Sequence, residues 1–92
     1  MLAKLKTLKH SIIEVAGVYH ARNVRIFGSA LTRDDPGDVD ILVEMNPDAS
    51  LLDEIALQDE LSSLLKIKVD LVSEQGLSPY IKDAILRTAQ PL

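Results

Sequence analysis

The stretch "RIFGSALTRDDPGDVDILVE", residues 25–44, puts two aspartates inside an apolar run. It opens on the β-branched and aromatic tetrapeptide "VRIF" (24–27), a short strand by composition, and passes into Gly28-Ser29. Residues 30–33 have room for one helical turn, and "DDPG" (34–37) is strong turn chemistry. "DVDILVEM" (38–45) then reads as a second strand. Side chains alternate across a strand, so Asp38, Asp40, Leu42 and Glu44 share one face, and Val39, Ile41, Val43 and Met45 the other. The second set is a core row, which leaves the aspartates on the opposite face or at its rim.

Upstream, Leu2, Leu5, Leu8, Ile12, Val15 and Tyr19 fall at helical spacing and predict one helix from Leu2 to about Tyr19, which Asn23 terminates. Downstream, Ser50 with Asp53 three residues on forms a capping box. The helix that follows runs to about Leu65, with Leu51, Ile55, Leu61, Leu64 and Leu65 available for burial. "KIKVDLVS" (66–73) alternates as a half-buried strand, with Ile67, Val69 and Leu71 as its core row and Asp70 on the other face. Ser78 caps a last helix that Pro79 opens, with Ile81, Ala84, Ile85 and Thr88 facing inward. The order is α-β-β-α-β-α, an α/β (α+β) fold whose three strands share one small mixed sheet with helices packed on it. Residues 1–92 make one expected domain.

Composition narrows the function. With no cysteine, disulfides and thiolate zinc sites are excluded; with Tyr19, Phe27 and Tyr80 as the whole aromatic set, the core is Leu, Ile and Val. A net charge of −4 argues against generic nucleic-acid binding, and Lys4, Lys6, Lys9 and His10 read as the solvated face of the first helix. No apolar run approaches the ~18 residues of a membrane span. The first residues are too polar for a secretory signal, so a cytoplasmic location is expected.

If the second and third strands pair, Asp38, Asp40 and Asp70 converge on one patch. Crowded carboxylates repel one another, and partial burial adds to the cost of ionising each. A hard cation between them relieves both, and Mg²⁺ takes oxygen ligands of this kind together with substrate phosphates. The plain alternative is a solvated strand face, but aspartate is poor in strands and here occurs three times on one face. Gly28-Ser29, at the end of a strand before a helical turn, can present backbone N–H groups and a hydroxyl to an anion. A Walker A loop is absent.

Strand, Gly-Ser, loop, Asp-x-Asp within an apolar strand, helix, and a strand carrying a third aspartate: this succession resembles the nucleotidyltransferase superfamily typified by DNA polymerase β, and its minimal nucleotidyltransferases (MNT) in particular. "RIFGSA", "GDVDILVE", "LLDEIALQDELSSLLKIKVDLVSE" and "LSPYIKDAILRTAQPL" follow the family's order over nearly the whole chain. The resemblance implies that Asp38, Asp40 and Asp70 are the catalytic and metal-holding residues, taking two Mg²⁺ ions (or Mn²⁺) with a nucleoside triphosphate such as ATP. It implies that Gly28, Ser29 and Arg33 bind the nucleotide, although Arg33 stands at a different offset from the arginine of many relatives. The implied reaction is transfer of AMP to a hydroxyl of a partner, a HEPN-domain toxin, with this chain as its antitoxin. The alternative is a catalytically weak or inactive MNT-fold binding module that neutralises its partner by contact. A homo-oligomer is left open.

Overall fold

The computed structural model describes residues 1–92 as four helices and four strands: α1 (Leu2–Thr7), α2 (Lys9–Val18), β1 (Ala21–Phe27), β2 (Asp38–Met45), α3 (Leu51–Leu65), β3 (Lys68–Ser73), α4 (Pro79–Thr88) and β4 (Gln90–Pro91). Short 3-10 turns at Gly28–Leu31 and Glu74–Gly76 follow β1 and β3. The strands form one mixed sheet in the order β3-β2-β1-β4. β1 runs antiparallel to β2 and to β4, and β2 runs parallel to β3. A parallel pair needs a crossover connection, and α3 supplies it. No helix is long and apolar enough to cross a membrane.

The expected core row of β2 is buried: Val39, Ile41 and Val43 are inaccessible and Met45 nearly so. They pack with Val24, Ile26 and Val69 against Leu5, Ile12 and Ala16 of the first two helices and Leu57, Leu61 and Leu65 of α3. The last three are spaced by four residues and form one stripe. Leu51 and Ile55, expected in that stripe, point elsewhere and are exposed, while Leu57 takes their place. Leu42 is also fully buried, outside that cluster and on the opposite face, and the connection through α4 leads from one sheet edge, β3, to the other, β4.

Four further expectations are corrected. The first helix is two, because Thr7 Oγ1 donates to the Lys4 carbonyl (2.6 Å) and the Leu8 N–H turns to Leu5 O instead (3.1 Å). Asn23 does not end a helix. It lies inside β1 at φ 52° where the register slips between Arg22 and Arg25, a bulge in a strand that already starts at Ala21. β4 carries no strand signal in its composition; it extends the free edge of β1, where a proline costs no ladder bond, and Leu92 N–H bonds Val24 O (3.0 Å). On α4, Ile85 and Leu86 are half-buried, whereas Ile81, Ala84 and Thr88 are exposed, because the outer side of this helix has no further layer against it.

The crossover is anchored by polar contacts. Arg25, 8% exposed, bonds Glu74 Oε2 through Nη2 at 2.7 Å and Asn23 O through Nε at 3.0 Å. Gln75 clamps the end of β2, donating to Met45 O (2.9 Å) and accepting from its N–H (3.4 Å). Glu74→Ala leaves the buried guanidinium short of its counter-charge and is expected to cost about 2 kcal/mol of stability in urea unfolding. An unchanged midpoint would mean that water replaces the carboxylate.

Candidate active site

The parallel register of β2 and β3 sets Asp40 beside Asp70 and Asp38 beside Lys68. Carboxylate oxygens of Asp38, Asp40 and Asp70 all lie within 4.8 Å of one another, each residue half-buried. The level of β3 is held from outside the sheet. Ser62 Oγ accepts from Val69 N–H (3.1 Å) and Gln58 Oε1 from Leu71 N–H (3.0 Å), so α3 satisfies the outward donors of this edge strand on either side of Asp70. The start of α3 is fixed by the expected capping box: Asp53 N–H donates to Ser50 Oγ (3.3 Å) and Ser50 N–H to Asp53 Oδ2 (2.9 Å).

Gly28 belongs to the same patch. Its neighbour Phe27 pairs with Asp40 across β1 and β2, and the chain then turns at a φ of +73°. A Cβ at this position would collide with Asp40 Oδ2. Glycine is thus required twice, by the backbone conformation and by the carboxylate it lies against. Ser29 follows, half-buried, in the 3-10 turn; its carbonyl accepts from Thr32 N–H (3.1 Å) and Arg33 N–H (2.8 Å). Ala30 and Pro36 are buried and tie the loop to the protein. Arg33 is exposed and its guanidinium makes no ion pair.

Asp40 is held above the ordinary carboxylate range, first by burial, then by the charges of Asp38 and Asp70, with Lys68 opposing. Three convergent oxygen donors, one of them raised by burial and then by the other two, fit a hard divalent ion. Lys68 is the residue that reading the sequence alone does not single out: its Nζ lies 3.7 Å from Asp70 Oδ1. The available signal was its place two residues before Asp70, on the same face. Glu44, further along the aspartate face, belongs to another network: Asn23 Nδ2 donates to it (3.1 Å) and Arg22 pairs with it (3.3 Å), and the bond from Asn23 above all holds its carboxyl below the usual range. Two surface grooves lie elsewhere, one beside Tyr19 and α3, the other along Leu51, Ile55 and Leu71, so the aspartates stand outside both.

Comparison with known proteins identifies the family and the fold. The family described as polymerase beta, nucleotidyltransferase matches residues 10–92. A Methanocaldococcus jannaschii protein named as a candidate protein adenylyltransferase is 33% identical over 87 residues, 92% of this chain and 94% of its own. The protein adenylyltransferase MntA of Thermococcus cleftensis is 37% identical over 71 residues, 75% of this chain and 72% of its own. Among solved structures, a candidate minimal nucleotidyltransferase superposes with a TM-score of 0.85 at 36% identity, covering 99% of this chain and 95% of that one. The MNT antitoxin complex with a tri-AMPylated Shewanella oneidensis HEPN toxin shares the fold, with a TM-score of 0.73 at 20% identity over 94% of this chain and 69% of that one. With its Gly-Ser turn packed on Asp-x-Asp and the third aspartate brought in by the parallel strand, the chain belongs to the polymerase β-type nucleotidyltransferase family.

Proposed function

We propose that this protein is a Mg²⁺-dependent nucleotidyltransferase that moves AMP from ATP to a hydroxyl of a HEPN-domain partner and so acts as its antitoxin. The observation that carries the reading is the meeting of Asp38, Asp40 and Asp70 within reach of one ion, with Gly28 against them. Asp38 and Asp40 would hold the metal with the triphosphate, and Asp70 would complete the set. When bound, the divalent ion supplies charge neutralisation for the phosphates and for the departing pyrophosphate. Ser29 and the N–H groups that follow Gly28 grip the departing portion, with Arg33 close along the chain. The acceptor oxygen bonds to the α-phosphorus as the α–β bridging P–O bond breaks, and Asp70 takes the hydroxyl proton.

The acceptor in this reading is a hydroxyl on the partner protein, reached at the half-buried aspartates of β2 and β3. The names of the relatives support the chemistry, protein adenylyltransferase, and a solved complex of an MNT antitoxin with an AMPylated HEPN toxin supports the partner. The test uses ATP labelled at the α-phosphate, Mg²⁺, this protein and a HEPN-domain protein co-expressed with it. Label on the HEPN protein, absent without the divalent ion, is the expected result. A stable complex that never acquires label would instead favour neutralisation by contact.

A further inference from the structure

Lys68 is the one cation in ion-pair contact with Asp38, Asp40 or Asp70; the protein's two other ion pairs, Arg22–Glu44 and Arg25–Glu74, involve none of these three. Its backbone is in register with Asp38, and its side chain, 73% exposed, leans along the strand to Asp70. At 3.7 Å the pair is longer than a hydrogen bond, as suits an ammonium that is a point charge on a flexible four-carbon stem. The three carboxylates, drawn together by strand pairing, need positive charge nearby when no metal is bound. Once a divalent ion takes their oxygens, the same ammonium loses its partner and is repelled. A nucleotide phosphate brought to the metal is then the nearest unsatisfied negative group.

We propose that Lys68 is a two-position cation, paired with Asp70 in the empty site and transferred to a nucleotide phosphate when metal and nucleotide are bound. The proposal rests on the nucleotidyltransferase reading and adds to it a coupling: metal alone binds against the repulsion of Lys68, whereas metal with nucleotide binds with its help. Removing the charge should therefore move the two affinities in opposite directions. A merely structural role would move both the same way or neither.

The test is Mn²⁺ binding followed by electron paramagnetic resonance, with Mn²⁺ alone and with an ATP analogue that cannot be cleaved between the α and β phosphates. Lys68→Met is expected to tighten Mn²⁺ alone about threefold, a modest effect because the charge is screened by solvent. It should weaken the analogue at saturating Mn²⁺ by about tenfold, the loss of one charge-assisted phosphate contact. Lys68→Arg keeps the charge and should stay within about twofold of the wild type in both. Since Lys68 is exposed, the urea midpoint should not fall, which separates these effects from misfolding. Both affinities unchanged, or both reduced together, would overturn the two-position role. A wild-type protein that binds Mn²⁺ neither alone nor with the analogue would overturn the nucleotidyltransferase reading, and this proposal with it.

Discussion

Asp40→Asn is expected to abolish label transfer while making the metal-free protein more stable. The activity loss should reach about a thousandfold, equivalent to ~4 kcal/mol of transition-state stabilisation, since the amide keeps the shape but not the charge that, in the proposed reaction, would hold the metal. The stability gain follows from the direction in which Asp40 is perturbed. Burial and the charges of Asp38 and Asp70 raise its affinity for a proton in the folded protein. The folded state therefore binds more protons than the unfolded chain between the ordinary aspartate range and the raised value, and stability falls as pH rises across that window. Above the window the full cost of the charge is present, and Asn removes it. Urea unfolding at neutral pH without divalent ions, beside the transfer assay, reads both effects on one variant. A variant that loses activity and stability together would mean that Asp40 holds the fold rather than the chemistry. Activity near the wild-type level would remove Asp40 from the reaction altogether.

Gly28→Ala is expected to be the second most damaging single change, for a different reason. An L-residue at a left-handed φ costs about 1–2 kcal/mol. The new methyl group also collides with Asp40 Oδ2. That atom is the end of a side chain and can swing away, so the collision is relieved by displacing the carboxylate rather than by unfolding the strand. Activity should therefore fall by about a hundredfold, the order expected when a reacting or ligating group is misplaced by ~1 Å. The loss of stability should remain within the backbone cost. Transfer assays and urea unfolding together check this. Full activity in Gly28→Ala would show that the close approach of Gly28 to Asp40 has no part in the reaction.

The convergence of the three aspartates is legible in the sequence because the face each one takes is written in local patterns. Alternation over residues 38–45 puts Asp38 and Asp40 on the face away from the core, and the same alternation does so for Asp70. The Ser50–Asp53 capping box and the Ser78–Pro79 helix start are equally local, each needing only neighbours within one turn, and both stand in the structure. Gly28 is different. The sequence suggests a turn that welcomes an anion, but the reason no other residue fits lies in Asp40, across the sheet.

Where several arrangements satisfy the same local pattern, only the packed molecule chooses among them. The break at Leu8 depends on which donor captures the Lys4 carbonyl, and the bulge at Asn23 on how β1 meets β2. β4 exists because β1 offers a free edge, and Leu57 replaces Ile55 in the core because α3 must cover β3 while Gln58 and Ser62 reach its backbone. By itself the sequence determined which residues share a face, since side-chain direction follows from the two-residue period of a strand and the 3.6-residue period of a helix. Only the tertiary structure decided which of those faces meet: the parallel register that brings Asp70 to Asp40 and Lys68 to Asp38 depends on contacts between segments far apart in the chain, which no local period encodes.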